Sequence, residues 1–245
     1  MYKLQTISVA LQKRSYPIWI ENGLLTKLPE LLKPMNQGQK WVVFSQSEIF
    51  NLYGNKLIDD LNSSGFQVEK VILLDGERAK SLSTLEDVYS QLIELGCHRS
   101  STFIALGGGV AGDAAGYIAA TFMRGVDYIQ IPSTLLAMVD SSIGGKTGVN
   151  LLAGKNLVGA IWQPKAVVVD IATLTTLLEA DAGFIALLDQ PVPPAPQGHS
   201  HPNNLLPATT GHTVSSSVIV CRHTSPSLRM WIWDILCLAL CLRRA

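Results

Sequence analysis

Three lysines lie in short glycine-containing runs in the middle of this chain, in a region that also contains aspartate and asparagine. Lys80 closes the run DGERAK, Lys146 follows two glycines, and Lys155 lies in the run GKN. Ammonium groups neutralise phosphate oxygens, and neighbouring carboxylates and amides bond hydroxyl groups. These residue types predict a site for a small anionic ligand that also carries hydroxyls.

A glycine-rich turn, Gly107 to Asp113, follows the apolar segment Thr102 to Leu106 and reads GGGVAGD. Glycine lets a backbone approach a pyrophosphate closely, and a helix beginning near Val110 would direct its positive end there. Taken alone, a glycine run after a strand is equally an ordinary tight turn. We expect Asp113, as an acid in the first helical turn, to bond helix N–H groups, a ribose or a bound water.

The run DGERAK, residues 75–80, comes directly after the apolar segment Val68 to Leu74. Open α/β sheets bind ligands at the carboxyl ends of their parallel strands, so an acid and a lysine here are placed to meet ribose hydroxyls and phosphate oxygens. The alternative is a solvated turn with a charge pair. The run GKN, residues 154–156, is either a ligand-binding turn or a surface turn, and Arg124 is either a phosphate clamp or a solvated helix end.

The longest polar run, residues 132–150, reads PSTLLAMVDSSIGGKTGVN and contains Asp140 and Lys146. Polar side chains in an apolar context are costly without partners, so this run predicts a ligand or a dense hydrogen-bond network. We expect it to form loops. Its GGKT sequence resembles the end of a Walker loop, but Asp140 stands where that loop requires glycine, which argues against a P-loop nucleotide hydrolase.

Apolar segments alternate with helical periods through about residue 177, which predicts an α/β fold with a mostly parallel sheet covered by helices. The predicted helices are Ser47 to Leu61 and Ser81 to Leu95; Ser81 caps the second and Gly96 ends it. The predicted strands are Trp41 to Ser45, Val68 to Leu74, Thr102 to Leu106, Asp127 to Ile131 and Ala166 to Asp170, and Tyr2 to Leu11 alternates as a strand does. Residues 1–177 are expected to be a nucleotide-binding domain.

Composition narrows the classes of partner. The 245 residues carry no formal net charge and the pI is near 7.0, so no basic field exists to hold nucleic acid or an anionic membrane. The longest apolar run, Met230 to Leu242, is too short to span a bilayer. Because the cysteines show no framework spacing and the N-terminus lacks the pattern of a signal peptide, we expect a cytoplasmic protein.

The composition changes after residue 177. No lysine occurs beyond Lys165, six of the twelve prolines fall between Pro191 and Pro207, and no helical or strand period can be followed. We expect residues 178–245 to be a Pro-rich, poorly folded tail. It is either a genuine linker or the product of a wrong reading frame, a retained intron or a truncated gene.

Taken together, in this order and spacing, the motifs resemble the 3-dehydroquinate synthase family of sugar phosphate cyclases. The resemblance covers residues 1–177 and implies a Rossmann-like domain, a fold shared more broadly with glycerol dehydrogenase and iron-dependent alcohol dehydrogenases. Those relatives lack the combined aspartate, GGKTG and GKN pattern. The matching runs are DGE-x-x-K at 75–80, GGGVAGD at 107–113, RGV at 124–126, PSTLLAMVDSSIGGKTGVN at 132–150, GKN at 154–156 and TLTTL at 173–177.

The resemblance also implies roles for individual residues. Asp140, Lys146 and Asn156 would face a sugar phosphate substrate, and Arg124 would reach its phosphate across the interface of a homodimer. Contacts to NAD would come from Asp75, Gly76, Glu77, Arg78, Ala79, Lys80, Gly109, Val110, Ala111, Gly112, Asp113, Ser133, Thr134, Lys146, Lys155, Thr173, Leu174, Thr175 and Thr176.

The implied reaction converts 3-deoxy-D-arabino-heptulosonate 7-phosphate to 3-dehydroquinate and phosphate, in the shikimate pathway of aromatic amino acid biosynthesis. NAD would oxidise one hydroxyl transiently, which acidifies the neighbouring C–H bond. Phosphate then leaves, the hydride returns, and the opened ring closes by an intramolecular aldol step.

The family also uses a divalent metal, zinc or cobalt, held by a Glu soon after the TLTTL run and by two later His residues. Here Leu188 stands where the Glu would fall, and we expect the helical domain that carries the His ligands to be absent. His199, His201 and His212 offer an unrelated metal cluster, for which their Pro-rich surroundings provide no rigid frame. We therefore predict no metal ligands in this chain.

Three functions stay open on the sequence. The first is a 3-dehydroquinate synthase, and the second is a noncatalytic NAD-binding fragment of that enzyme. The third is a related sugar phosphate cyclase, such as a 2-deoxy-scyllo-inosose synthase, which differs in its substrate.

Overall fold

The computed structural model describes residues 4–180, so the expectations for the tail, Leu188 and the three histidines lie outside the described residues. Contacts place Met1–Leu177 in one unit. The strands are β1 (Gln5–Val9), β2 (Tyr16–Glu21), β3 (Lys40–Gln46), β4 (Gln67–Leu73), β5 (Thr102–Gly107), β6 (Asp127–Pro132), β7 (Lys146–Leu151), β8 (Gly154–Ile161) and β9 (Ala166–Asp170). The α-helices are α1 (Leu28–Leu32), α2 (Ser47–Ile49), α3 (Asn55–Ser63), α4 (Leu82–Glu94), α5 (Gly109–Thr121) and α6 (Thr173–Ala180).

Seven of the described strands form one sheet, in the order β1-β2-β9-β6-β5-β3-β4. From β2 to β4 in this order, every strand runs parallel to its neighbours, whereas β1 pairs antiparallel with β2. The predicted mostly parallel sheet is therefore confirmed.

Alternate residues of the central strands face opposite layers of helices. Phe44 and Phe103 pack on one side with residues of α4 and α5, while Trp41 and Ile104 pack on the other with residues of α1 and α3. All four side chains are fully buried. Because both faces of the sheet are covered, the central strands read in the sequence as nearly continuous apolar runs.

The two predicted helices are present, one of them with an interruption. Ser81 caps α4, since its Oγ accepts the backbone N–H of Thr84 at 3.2 Å, and Gly96 follows the helix with a φ of 69°. The helical stretch from Ser47 contains a π-helical segment, Phe50–Gly54, between α2 and α3. The prediction of one uniform helix was therefore wrong in this detail.

The polar residues from Lys146 to Ile161 form a β-hairpin, which corrects the expectation of loops. In this hairpin β7 and β8 pair antiparallel, with Lys146 opposite Ile161 and Gly148 opposite Gly159. Gly159 permits the close pairing, since a Cβ at this position would lie 2.2 Å from the carbonyl oxygen of Thr147. The hairpin stands apart from the seven-stranded sheet.

Candidate functional site

Four segments with predicted ligand contacts follow the carboxyl ends of parallel strands. Asp75 follows β4, Gly108 follows β5, Ser133 follows β6 and Thr173 follows β9. Parallel strands end at the same edge of a sheet, and this edge is where open α/β sheets bind ligands. The fold therefore brings these four segments of the motifs to one edge.

The glycine-rich turn leaves the N-terminus of α5 free of side chains. A Cβ at Gly108 would lie 3.3 Å from Cγ2 of Thr134, and one at Gly109 would lie 3.2 Å from Oγ of Ser141. The helix begins at Gly109, close to the predicted start. The first N–H groups of a helix have no partner within it, so this opening suits an anionic group.

Ser133 lies directly after β6, whose last residue pairs with Gly107 of the turn. Its side chain is 1% exposed, and its Oγ has no hydrogen-bond partner among the described residues. Buried hydroxyls in folded proteins nearly always have a partner. The unsatisfied Oγ beside the glycine-rich turn is thus a polar group that a bound ligand can satisfy.

Asp113 forms an ion pair and does not cap the helix, which corrects the expected bond to helix N–H groups, whereas the expected contact with a ribose or a bound water remains a prediction. It lies in the second turn of α5, and its Oδ2 is 2.6 Å from Nζ of Lys80. Lys80 Nζ also donates to Oδ1 of Asn156 at 2.5 Å. Burial raises the pKa of the Asp113 carboxyl, and the hydrogen bond and charge of Lys80 offset part of this rise.

Asp113, Asp140, Lys146 and Asn156 line one cleft of about 410 Å³. Asp140 belongs to a π-helical segment, Ala137–Ser141, a kind of irregularity that is frequent at functional sites. The remaining lining residues are Ser141, Thr147, Gly148, Gly159, Ala160 and Ile161. Most of these come from the hairpin, which the sequence did not reveal.

The three lysines differ in their surroundings. Lys80 is 4% exposed and pairs with Asp113, and Lys155 is exposed and pairs with Glu77 at 3.3 Å. Lys146 is exposed, lines the cleft and has no ion-pair partner among the residues that the structure describes. Lys146 is therefore the lysine whose charge is available to a ligand in the cleft.

The Glu77 carboxylate is engaged on both oxygens. Oε2 accepts Nδ2 of Asn150 at 2.6 Å, and Oε1 accepts Nζ of Lys155 at 3.3 Å. The hydrogen bond from Asn150, followed by the bond and charge of Lys155, lowers the pKa of Glu77. Glu77 thus joins the turn after β4 to the hairpin.

Some residues with a predicted NAD contact are packed into the core. The side chains of Ala79, Ala111 and Leu174 are buried, so backbone atoms are what these residues offer to a ligand. Thr173 donates its Oγ1 to the carbonyl of Asp170 at 2.8 Å, and Thr176 Oγ1 lies 2.6 Å from the hydroxyl of Tyr53. Tyr53 was not predicted, because its partner lies far along the chain.

Arg124 does not line the cleft. It follows the C-terminal end of α5, whereas the glycine-rich turn precedes its N-terminal end, and a helix of this length spans about 20 Å. Arg124 is exposed and has a left-handed φ of 63°. The structure therefore does not bring Arg124 to the site of its own chain, and the predicted contact with a second subunit remains a prediction.

Two further properties concern the described residues alone. Within residues 4–180, no group of three or more His, Cys, Asp and Glu side chains is arranged to hold a metal ion. In the same part of the chain, no helix has the length and apolar character needed to cross a membrane.

The sheet order and the two covered faces define a Rossmann-like α/β domain, and the carboxyl ends of its parallel strands form the edge where such sheets bind ligands. Residues 70–183 match the family model of the 3-dehydroquinate synthase N-terminal domain. By this match residues 70–183 are similar to the N-terminal domain of the 3-dehydroquinate synthase family, and the resemblance drawn from the motifs is confirmed.

Named relatives agree with this assignment. The chain is 49% identical over 175 residues to a 3-dehydroquinate synthase of Syntrophotalea carbinolica. The matched residues make up 71% of this chain and 48% of that protein. A structure of 2-deoxy-scyllo-inosose synthase with carbaglucose-6-phosphate, NAD+ and Co2+ superimposes with a TM-score of 0.64 at 28% identity, over 69% of this chain and 46% of the other. A structure of 2-epi-5-epi-valiolone synthase from Streptomyces hygroscopicus subsp. jinggangensis, with NAD+ and Zn2+ bound, superimposes with a TM-score of 0.60 at 29% identity. This match covers 69% of this chain and 46% of the other. The chain thus spans about half the length of the relatives that it matches.

Proposed function

We propose that this protein acts as a 3-dehydroquinate synthase and that the described domain supplies its NAD site and part of its substrate site. The substrate would be 3-deoxy-D-arabino-heptulosonate 7-phosphate, and the products 3-dehydroquinate and phosphate. The observation that carries the proposal is the meeting of Asp113, Asp140, Lys146 and Asn156 in one cleft. The 49% identity to a 3-dehydroquinate synthase supports this substrate over that of the 28% identical inosose synthase.

The roles of the cleft residues follow from their partners. Lys146, with its charge uncompensated among residues 4–176, would bind the substrate phosphate. Asn156 uses its Oδ1 for Lys80, so its NH₂ group is what it offers to a phosphate or hydroxyl oxygen. Asp140 is half-buried at the cleft wall and offers a carboxylate to substrate hydroxyls.

The residues at the glycine-rich turn fit NAD. The backbone of Gly108 and Gly109, which carries no side chain, would let a pyrophosphate approach the N-terminus of α5, and the unsatisfied hydroxyl of Ser133 follows the strand beside this turn. NAD would supply the transient oxidation of a substrate hydroxyl. The described residues do not fit a divalent metal, so no step is assigned to zinc or cobalt.

A second candidate is an NAD-binding domain without turnover. The partial coverage of the relatives favours it, because the chain corresponds to 48% of the Syntrophotalea protein. Both candidates share the NAD site, and catalysis separates them. Homodimer formation and a cytoplasmic location remain predictions under either candidate.

The purified full chain separates the two candidates. Calorimetric titration with NAD measures the cofactor site, and phosphate release from the heptulosonate phosphate with NAD and zinc measures turnover. Turnover supports the enzyme, NAD binding without turnover supports the noncatalytic domain, and a lack of NAD binding overturns both. K146M should weaken substrate binding much more than NAD binding. K56M, at the exposed Lys56–Asp60 pair, should change neither affinity.

A further inference from the structure

Asn150 connects the hairpin to the turn after β4 through both ends of its side-chain amide. Its Nδ2 donates to Oε2 of Glu77 at 2.6 Å, and its Oδ1 accepts the backbone N–H of Asn156 at 2.9 Å. Asn150 also forms an isolated β-bridge with Ser81, the residue that caps α4. The amide is therefore fixed from both directions.

The backbone of Asn156 is in the left-handed region, with a φ of 56°. Asparagine is one of the few residues other than glycine that adopt this region, and the bond from its N–H to Asn150 holds it there. In this conformation the Asn156 carboxamide lines the cleft and its Oδ1 meets the buried ammonium of Lys80. The orientation of a cleft residue thus depends on a hydrogen bond made by Asn150.

We propose that Asn150 is a positioning residue: anchored by Glu77, it holds the backbone of Asn156 so that the Asn156 carboxamide meets Lys80 and faces the cleft. Asn150 itself does not line the cleft. It acts through Asn156 and Lys80. The inference deepens the proposed function and rests on it for the identity of the ligand, but the network itself is independent of any ligand.

The chemistry of the network requires an amide at position 150. The side chain must donate to a carboxylate and accept from an N–H group at the same time, which asparagine does and aspartate or alanine does not. In N150D a second carboxylate would oppose Glu77. In the double variant E77Q/N150D the new amide donates to the new carboxylate, so the hydrogen bond is restored with its polarity reversed and the net charge unchanged.

Asn62 supplies a matched control. Its Oδ1 accepts the backbone N–H of Val68 at 3.0 Å, six residues further along, and Asn150 and Asn156 are also six residues apart. Asn62 lies near the end of α3, and it does not line the cleft. N62A therefore removes the same kind of bond without touching the network.

The test compares wild type, N150A, N150D, E77Q/N150D and N62A as full chains, with two readouts. Hydrogen exchange of the Asn156 amide and the NMR signal of the Lys80 ammonium report the network without any ligand. Calorimetry with NAD reports the ligand site. We expect N150A and N150D to speed Asn156 exchange and to weaken NAD binding about tenfold each, the scale of one hydrogen bond to a charged group. N62A should change neither quantity, and E77Q/N150D should return the exchange rate of the Asn156 amide to within about threefold of wild type.

The proposal is overturned if Asn156 exchange and the Lys80 signal in N150A match those in N62A. It is also overturned if the Asn156 amide exchanges as fast in E77Q/N150D as in N150D, a comparison that holds even if N150A does not fold. If the wild-type chain does not bind NAD, the proposed function fails, and the ligand-free readout still decides the role of Asn150.

Discussion

Lys80 and Asp113 form a salt bridge of 2.6 Å in which 5% of the Lys80 side chain and 22% of the Asp113 side chain are exposed. A buried ammonium is costly unless a counter-charge and further hydrogen bonds accompany it, and here Asp113 and Asn156 provide them. The strand-end turn that bears Lys80, helix α5 and the hairpin thus meet at one ammonium group.

Replacing Asp113 and replacing Lys80 should lower the free energy of unfolding by different amounts. D113N leaves the buried ammonium without its counter-charge and should lower the free energy of unfolding by about 3 kcal/mol. K80M leaves a carboxylate that reaches water and should cost about 1 kcal/mol. Urea unfolding of both variants at neutral pH measures the difference. Equal losses would mean that Lys80 gains access to solvent in D113N.

The pKa of Asp113 should depend on two opposing effects, its burial and its pairing with Lys80, and K80M removes only the second. Burial raises its pKa above the ordinary value and Lys80 opposes the rise, so K80M should raise the pKa further. Because the folded protein holds this proton more tightly than the unfolded chain, the contribution of Asp113 to stability falls as pH rises through the interval between the two pKa values. Carbon-detected NMR of the carboxyl group follows the titration, and K56M serves as the control. A lower pKa in K80M would contradict the expectation.

Glu77 should show the opposite dependence on pH. Its pKa is lowered by the hydrogen bond from Asn150, so the unfolded chain binds the proton more tightly and the contribution to stability is lost as pH falls through the folded pKa. The stability of wild type relative to E77Q should therefore grow by less than about 1 kcal/mol between pH 3 and pH 6, since Glu77 is half-exposed. Urea midpoints measured across this range check it.

The hairpin should tolerate alanine at one glycine and not at another. In G159A the new methyl group would lie 2.2 Å from the carbonyl oxygen of Thr147, so β7 and β8 must separate. We expect a loss of about 3 kcal/mol in unfolding free energy and weaker ligand binding. G154A meets the flexible end of Leu157 at 3.1 Å and should cost less than about 1 kcal/mol. Similar losses in the two variants would show that the strands are not closely paired at Gly159.

The edge of the sheet could be predicted from the sequence because apolar runs buried on both faces are easily recognised. The predicted strands Thr102 to Leu106 and Ala166 to Asp170 match β5 and β9 to within one residue. Once parallel strands are assigned, their carboxyl ends must share an edge, which places Asp75 and Ser133 at the same edge of the sheet. The family runs then identify the kind of site.

The hairpin and β2 could not be predicted in the same way. Gly148, Gly154 and Gly159 interrupt the alternation of β7 and β8, and Pro17 removes a donor from β2, which the strand accommodates beside β1. The partner of Asp113 was missed for another reason. Local rules favour a helix cap, whereas its partner Lys80 lies 33 residues away. The bond between Asn150 and Glu77 joins residues 73 positions apart and was missed for the same reason.

The hairpin shares one isolated β-bridge, between Asn150 and Ser81, with the rest of the described domain. Side-chain hydrogen bonds attach it further. At its tip Asn150 donates to Glu77, and next to its base the Tyr128 hydroxyl donates to the Trp162 carbonyl. The hairpin supplies most of the residues that line the cleft. We expect that a hairpin from a cyclase of different ligand preference can replace residues 146–161 if it keeps Asn150 and Asn156, which bond Glu77 and Lys80, and that the sheet carrying the glycine-rich turn then needs no redesign.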